Sequence, residues 1–203
     1  MATMFARFTT LAAPLMLLAG AAIAREPLRD GDLVFQTSRS RQSEAIQRAT
    51  HSPYSHVGIV LFHGGKPYVF EAVETVRYTP LDRWIARGAN AQYVVRRLRR
   101  VIREGQLARL RSDAKAFEGL SYDLYFEWSN ERIYCSELVW KLYHQALGIE
   151  LGAKQRLRDF DLEDPLVQAK LRERYGKLIP LEEPVISPVA VFDSELLQTI
   201  HTD

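Results

Sequence analysis

Three residues of this chain could act together as a cysteine nucleophile with its base. Cys135 is the only cysteine among 203 residues, His56 begins an apolar segment, and Glu71 lies in the apolar segment that follows. A thiolate is a strong nucleophile, an imidazole can take up and return its proton, and a carboxylate can hold the imidazole in one tautomer. These residue types predict nucleophilic attack on a carbonyl group, provided that the fold brings them together.

Residues 56–62 and 67–73 are predicted to pair as a β-hairpin. Both segments are rich in apolar and β-branched residues, and the dipeptide Gly64-Gly65 lies between them. Glycine readily adopts the positive φ angles of a two-residue hairpin turn. A turn centred on this dipeptide sets the register of the two strands and therefore decides which side chains share a face.

The predicted register makes Glu71 the diagonal neighbour of His56 on one face of the hairpin. Glu71 faces Gly58 across the ladder, so the glycine leaves room between the carboxylate and the imidazole. Glu74, the nearby alternative carboxylate, points to the opposite face. The remaining side chains of the His56 face are apolar, and they are Val60, Val69 and Val73. The alternative is that His56 and Glu71 lie on a solvated sheet surface and do no chemistry.

Cys135 begins a predicted helix that runs to Leu147 and ends before Gly148. The exposed N–H groups and the macrodipole at a helix start favour a thiolate over a thiol, and the same N–H groups can stabilise an oxyanion. This helix could pack on the His56 face of the hairpin, which would complete a triad. The alternative is a buried, inert cysteine that packs as a small apolar residue.

The other histidines have no partner by spacing. His144 lies nine residues beyond Cys135 on the same helix, about half a revolution away. His51 lies in a loop, His63 flanks the hairpin turn, and His201 is near the terminus. A catalytic metal needs three protein ligands, and no H-x-x-x-H or C-x-x-C spacing occurs. The sequence therefore predicts no metal and no cofactor.

The segments around these motifs predict one domain, residues 25–203, because a chain of this length can bury one sizeable core. The further strands and helices are predicted at residues 33–36, 41–49, 79–88, 92–98, 104–117 and 165–175. Residues 150–203 are predicted to cover the core. The last part of this cover reads as a loop-like tail, because Pro180, Pro184 and Pro188 punctuate it.

Residues 1–24 have the features of a cleaved export signal. Arg7 precedes a short apolar stretch, and Ala22-Ile23-Ala24 forms a small-residue cleavage site before Arg25. No later segment approaches the roughly 18 apolar residues of a membrane-spanning helix. The sequence therefore predicts an exported, soluble protein, periplasmic or secreted, that begins at Arg25.

Basic residues are concentrated between positions 96 and 111. They are Arg96, Arg97, Arg99, Arg100, Arg103, Arg109 and Arg111. Such a run either forms a solvated strand end and helix face or contacts an anion or a membrane surface. Arg96, Arg97, Arg99 and Arg100 are the candidates for peripheral contact with an anionic surface. The formal net charge of the whole chain is only +2, which gives no indication of a nucleic-acid partner.

Four short motifs resemble the permuted papain-like amidases of the YaeF/YiiX type, which are related to the NlpC-type cell-wall peptidases. The motifs are Gly31–Phe35, Ser55–Gly58, Phe70–Ala72 and Tyr134–Val139. Each motif is weak alone, but the four in this order are specific, and together they span roughly residues 30–150. His56 and Glu71 precede Cys135, which is the order expected of the circularly permuted branch.

The resemblance implies an α+β fold in which the cysteine helix packs against a small antiparallel sheet or barrel. It carries Cys135, His56 and Glu71 over as the catalytic triad. NlpC-type enzymes place a tyrosine about a dozen residues before the cysteine, beside the oxyanion site, and Tyr122 is the best match to it. Tyr125 is the alternative.

The resemblance also implies the reaction, which is hydrolysis of an amide bond through a thioester intermediate. Cell-wall peptides and other small amides are the expected substrates. A related branch, similar to lecithin:retinol acyltransferase, uses the same site on lipid acyl esters, which leaves a lipid acyl hydrolase or acyltransferase as one alternative. A site retained only for ligand binding at the cell envelope is another.

Overall fold

The structure is a computed structural model that describes residues 26–202. The predicted signal peptide, residues 1–24, and the predicted N-terminus at Arg25 lie outside the described residues. Between positions 26 and 202, no helix is both long enough and apolar enough to cross a membrane.

One antiparallel sheet forms the centre of the fold. The strands of the described chain are β1 (Leu33–Gln36), β2 (His56–His63), β3 (Lys66–Ala72), β4 (Val76–Pro80), β5 (Val94–Leu98), β6 (Ser121–Tyr122), β7 (Arg132–Ile133), β8 (Gln155–Arg156), β9 (Pro184–Val185) and β10 (Leu197–Thr202). Within the described residues, six of these strands join in the order β10-β5-β1-β2-β3-β4. The four short strands form two separate pairs, β6 with β7 and β8 with β9.

The helices surround this sheet, and several begin and end where the sequence predicts. They are α1 (Arg41–Thr50), α2 (Leu81–Arg87), α3 (Glu104–Phe117), α4 (Cys135–Leu147), α5 (Pro165–Tyr175) and α6 (Pro188–Phe192). The bounds of α3 and α4 match the prediction to the residue. Asp164 caps α5 as predicted, because its carboxylate accepts the N–H of Leu166 at 2.8 Å.

The hairpin of β2 and β3 has the predicted register. Ile59 pairs with Phe70 and Leu61 with Tyr68, which centres the turn between the two glycines. Gly64 and Gly65 have φ angles of 56° and 76°, so both occupy the left-handed region that a tight hairpin turn requires. The alternation of side chains predicted for this hairpin is therefore confirmed.

The C-terminal segment differs from its prediction as a loop-like tail. Residues 197–202 form β10, which pairs with β5 and is an edge strand of the central sheet. The three prolines that indicated a loop all precede this strand. The prediction of a tail is wrong here because an edge strand has one paired neighbour and carries only a weak alternating pattern.

A second strand, β4, was also missed by the sequence prediction. The predicted helix starts at Thr79-Pro80, and residues 76–78 have no predicted strand. The structure instead pairs residues 76–80 antiparallel with β3, with Val76 opposite Ala72 and Pro80 opposite Tyr68. The helix α2 starts only at Leu81. Proline at the end of an edge strand is compatible with pairing, and it also favours a helix start, so this motif is ambiguous in sequence.

Different helices cover the two faces of the sheet. One face packs against α4 in the main core, which includes Val57, Ile59, Leu61, Phe70, Leu138 and Leu142. The opposite face packs against α2 in a smaller cluster, which consists of Val34, Val60, Val69, Trp84 and Val95. Each fully buried aliphatic or aromatic side chain of this kind stabilises the fold by about 1.5–3 kcal/mol. By strand alternation, His56 and Glu71 lie on the α2 face.

Candidate active site

His56 and Glu71 form a buried hydrogen-bonded pair. The Nε2 atom of His56 lies 2.5 Å from Oε2 of Glu71. His56 is 6% exposed and Glu71 is fully buried. The contact is the one that hairpin alternation predicts, and the rival carboxylate of Glu74 is 92% exposed on the other side.

Gly58 is the residue that makes this contact sterically possible. A Cβ atom at position 58 would lie 2.3 Å from Cγ1 of Val69 and 3.3 Å from Cβ of Glu71. Real Cβ atoms do not approach other carbons this closely, so any side chain at position 58 would displace its cross-strand neighbours. The predicted space-making role of this glycine agrees with the packing.

The carboxylate of Glu71 is held by two residues that sequence reasoning missed. Thr79 of β4 donates its hydroxyl to Oε1 at 2.6 Å, and Arg87 of α2 donates to Oε1 and Oε2 at 2.7 and 2.6 Å. Burial would raise the pKa of Glu71, but hydrogen bonds and charges from His56 and Arg87 outweigh it and hold the pKa at about 2. Glu71 is therefore ionised at neutral pH. Recognising β4 would have pointed to Thr79, but no local signal points to Arg87.

Cys135 reaches His56 from an unexpected direction. The prediction that α4 packs on the His56 face is wrong, because α4 lies against the opposite face and only its first residue reaches the pair. The ladder between β2 and β3 ends at Ile59 and Phe70, which leaves the N–H of Val57 without a strand partner on that side. This N–H donates to the sulfur of Cys135. The nucleophile therefore lies in the gap where the two strands separate.

The thiol and the imidazole shift each other toward an ion pair. Burial would raise the pKa of Cys135, but the hydrogen bond and charge of His56 and the N–H groups of Val57 and Ser136 lower it overall. Burial would lower the pKa of His56, whereas its hydrogen bonds and charge interactions with Cys135 and Glu71 raise it to about 9. Since Nε2 is committed to Glu71, Nδ1 is the nitrogen left for the thiol. Both shifts favour a thiolate beside an imidazolium over the neutral pair.

Tyr122, rather than Tyr125, lies beside Cys135. The short parallel pair of β6 and β7 places Tyr122 next to Ile133, two residues before the cysteine. Its hydroxyl accepts a hydrogen bond from Nε2 of Gln42 at 3.0 Å. Burial, with the charge of Cys135, raises the pKa of Tyr122 well above 10, so the phenol keeps its proton. Tyr125 points away, is exposed, and packs against Tyr175.

An open cavity of about 730 Å³, counting its solvent-filled mouth, leads to Cys135 and Tyr122. Its walls are almost wholly apolar. They include Ala45, Ile46 and Ala49 of α1 and Val167 and Leu171 of α5. The other apolar residues named here are Phe126, Leu157, Phe160, Leu162, Val185 and Ile186. The two charged residues of this lining in the described chain are Lys170 and Arg174.

The C-terminal region supplies part of this cavity wall and is tied directly to the cysteine helix. Ser136 donates its hydroxyl to the carbonyl of Ile186 at 2.8 Å. The N–H of Ile186 donates to the hydroxyl of Tyr134 at 3.1 Å. Residues on both sides of Cys135 thus hold the segment around Ile186 against the site, so the C-terminal region shapes the approach to the nucleophile.

Comparison with known proteins agrees with this architecture. Residues 27–201 match the family described as permuted papain-like amidase enzyme, YaeF/YiiX, C92 family. The chain belongs to this family. The uncharacterized protein YiiX of Escherichia coli strain K12 is a relative of 53% identity over 185 residues, which is 91% of each chain. Both the family and the α+β fold predicted from the four motifs are confirmed.

A solved structure of the YaeF/YiiX family superimposes closely on this chain. It is the crystal structure of yiiX from Escherichia coli O157:H7, described there as a metalloprotein, with a TM-score of 0.84 and 55% sequence identity. The match covers 86% of this chain and 97% of the other. Family membership makes a cysteine hydrolase of amidase or peptidase type the coarse functional class.

The fold places the four arginines predicted to contact an anionic surface, at positions 96, 97, 99 and 100, in different environments. Arg97 is 8% exposed and binds both carboxylate oxygens of Asp32 at 2.7 and 2.8 Å, so its assignment to a surface patch is wrong. Strand alternation turns Arg96 to the other face, over the ring of Phe192. Arg99 and Arg100 are exposed, and contact of these two with an anionic surface stays a prediction.

Proposed function

We propose that this chain is an exported cysteine hydrolase that cleaves an amide bond through a thioester intermediate. Cys135 is the nucleophile, His56 is the general acid and base, and Glu71 orients His56. The single observation that carries the proposal is the continuous contact from thiol to imidazole to a buried carboxylate that stays ionised. A thiol beside a base that a third group orients is the arrangement that activates a cysteine nucleophile.

The first half-reaction begins with the thiolate of Cys135. Its sulfur forms a bond to the carbonyl carbon, and the carbonyl π electrons move to oxygen. In this proposal, N–H groups at the start of α4 and the hydroxyl of Tyr122, which lines the cavity beside Cys135, donate to this oxyanion. The oxyanion then collapses, the carbon–nitrogen bond breaks, and imidazolium of His56 gives its proton to the leaving amine.

The second half-reaction hydrolyses the thioester. Neutral His56 accepts a proton from water, the hydroxide oxygen bonds to the carbonyl carbon, and the same donors bind the second oxyanion. The carbon–sulfur bond then breaks, which releases a carboxylic acid and restores the thiolate beside imidazolium. Glu71 keeps one imidazole orientation through both half-reactions, since Arg87 and Thr79 hold its carboxylate.

The Escherichia coli structure is described as that of a metalloprotein, which raises the question of whether the residues of this chain fit a metal ion. Between residues 26 and 202, no three His, Cys, Asp or Glu side chains are grouped so that they could hold a metal ion. A catalytic zinc site takes three protein ligands, so these residues do not fit one. The proposed reaction accordingly has no step through a metal.

A second candidate function is hydrolysis or transfer of a lipid acyl group with the same triad. The specific observation in its favour is the apolar lining of the cavity that opens on Cys135. A hydrophilic cell-wall peptide would leave this surface without a complementary partner, whereas an acyl chain would bury against it at about 25 cal/mol per Å². The chemistry at the thioester is unchanged, and only the group that fills the cavity differs.

A substrate panel tests the proposed function and separates the two candidates. The purified protein is incubated with decanoyl p-nitroanilide, decanoyl p-nitrophenyl ester and a muropeptide mixture, and Cys135→Ala serves as the matched control. We expect release of an amine or alcohol from at least one compound and, after acid quenching, an acyl mass added at Cys135. Full activity in Cys135→Ala, or no cleavage and no acylation with any compound, would contradict the proposal and favour a ligand-binding role.

Export is tested on the protein from its natural source. We expect the N-terminus of the exported form to be Arg25, because residues 22–24 form the small-residue cleavage site. Intact-mass measurement decides this. Exported protein that keeps Met1 would instead indicate an uncleaved anchor.

A further inference from the structure

Arg174 is a cation in the largely apolar lining of the cavity, and its charge acts on the neighbouring carboxylate of Glu173 without a close ion pair. Within residues 26–202, no carboxylate lies at ion-pairing distance from its guanidinium. The other cation of the lining, Lys170, is neutralised by Glu173 at 2.7 Å. Arg174 is partly buried, and a guanidinium that is partly shielded from water binds an added anion more strongly than a fully exposed one does.

The side chain of Arg174 is held in place by a rigid aromatic support. Its guanidinium carbon lies 4.9 Å from the centroid of the Phe126 ring. Stacking on the ring face leaves the N–H groups at the edge of the guanidinium available as donors. The ring thus helps to position the charge, and among residues 26–202 no hydrogen bond from these N–H groups is found.

Phe126 itself is fixed by an unusual backbone conformation. Its φ angle is 53°, which is strained for an aromatic residue. The fully buried carboxylate of Asp123 accepts the N–H of Tyr125 at 2.9 Å and the N–H of Glu127 at 2.6 Å, so it secures the chain on both sides of Phe126. Strained residues over-determined by their surroundings are characteristic of ligand sites.

The positive charge of Arg174 acts on Tyr122, which lies beside the nucleophile Cys135. Arg174 and Cys135 line the same cavity, and both charges act on the phenol of Tyr122 between them. The Cys135 charge opposes ionisation of this phenol, whereas Arg174 favours it. An anion bound to Arg174 would therefore lie in the same cavity as the bond that is cleaved.

We propose that Arg174 is a substrate-binding residue that recognises a small anionic group, carboxylate or phosphate, on a substrate whose apolar part fills the cavity. This inference rests on the proposed function and narrows its substrate class to amphiphilic acyl compounds with an anion close to the scissile bond. The planar fork of arginine suits both anions, because each can accept two parallel N–H groups.

Direct binding tests the proposal without requiring turnover. Calorimetry on the Cys135→Ala protein compares N-decanoylglycine with the neutral N-decanoylglycinamide, and decyl phosphate with decanol. We expect each anion to bind about 10- to 100-fold more tightly than its neutral counterpart, the range for a hydrogen-bonded charged group. The tighter of the two anions identifies the group that Arg174 prefers.

Two further variants localise the effect. In Arg174→Gln the preference for the anion should fall to within a factor of about two, while affinity for the neutral compound stays the same and shows that the cavity is folded. Arg172, an exposed arginine of the same helix that contacts Gln168, provides the matched control, and Arg172→Gln should keep the full preference.

Equal binding of acid and amide with Arg174 present, or a preference that survives Arg174→Gln, would overturn the proposal. Failure of the anion subsite can be distinguished from failure of the proposed hydrolase function. Anion preference without cleavage of any substrate would reject the hydrolase and keep the anion subsite. Cleavage without anion preference would keep the hydrolase and reject the subsite.

Discussion

Arg87 binds both carboxylate oxygens of Glu71, at 2.7 and 2.6 Å, from the last turn of α2. Glu71 in turn meets His56 on its other side. The helix that covers the back of the sheet therefore contributes to the site through a chain of charged contacts, although Arg87 itself touches neither the thiol nor the cavity. Arg87 is a positioning residue for the imidazole.

Arg87→Ala is expected to lower kcat by roughly 10- to 100-fold with little change in KM, because misplacement of the imidazole by a fraction of an ångström slows proton transfer. Loss of its charge should also raise the pKa of Glu71. Protonation of Glu71 should then limit activity on the acid side together with protonation of Cys135, so the acid limb of the pH profile should move to higher pH. Steady-state kinetics with decanoyl p-nitroanilide measure both effects, and Arg87→Lys should recover part of the rate. If Arg87→Ala lost stability but kept the wild-type pH profile, the role of Arg87 would be merely structural.

The pH dependence of kcat/KM is expected to be bell-shaped. Catalysis needs thiolate and imidazolium together, so activity should rise as the lowered pKa of Cys135 is passed and fall as His56 loses its proton near its raised pKa of about 9. Kinetics between pH 4 and pH 10 on a chromogenic acyl substrate locate both limbs. An alkaline limb near the ordinary histidine pKa of about 6.5 would show that His56 is not paired with the thiol.

The same pair makes stability depend on pH. His56 binds its proton more tightly in the folded protein, with a pKa of about 9 against 6.5 for the free side chain. Its contribution to the free energy of unfolding should therefore be complete below pH 6.5 and disappear as the pH rises through 9. Urea titrations at several pH values measure this loss. The lowered pKa of Cys135 acts with the opposite sign below the ordinary thiol pKa of about 8.5, so the net loss of wild-type stability is expected only above that pH. His56→Ala should remove this loss, and a wild-type stability that increases there would contradict the pairing.

Cys135 should react as a low-pKa thiol despite being 2% exposed. We expect iodoacetamide to enter through the cavity and alkylate the native protein, with an apparent pKa below that of a free thiol, about 8.5. His56→Ala should raise this pKa because the positive partner is lost. Glu71→Gln should raise it less, since the amide still accepts a hydrogen bond from the imidazole. Mass spectrometry against pH gives the rates, and labelling only after denaturation would return Cys135 to a structural role.

Gly58→Ala should be destabilising and inactivating together. The new methyl group would meet Val69 Cγ1 at 2.3 Å and crowd the Cβ of Glu71, so we expect a loss of about 1–3 kcal/mol in the free energy of unfolding. Gly105→Ala is the matched control, because no atom lies within 4 Å of its added methyl group and alanine favours the helix. Urea unfolding and alkylation of Cys135 measure the two effects. Equal stability of both variants would contradict the packing argument.

Short-range regularities of the sequence determined one half of the site. The alternation of two neighbouring strands and the glycine turn between them placed Glu71 beside His56 and excluded Glu74, because all of this information lies within about twenty residues. The start of α4 at Cys135 was equally local. The family motifs then identified the fold and its permuted order.

Only the tertiary structure decided how these parts meet. The face on which α4 packs and the cavity wall contributed by α5 and the segment around Ile186 join elements far apart along the chain. Arg87 is only 16 residues from Glu71, but their contact depends on how α2 packs against the sheet. No periodicity specifies such contacts, because they depend on how several apolar faces share one core. The support of Arg174 by Phe126 is of this kind, since a helix and a distant loop meet there through packing alone.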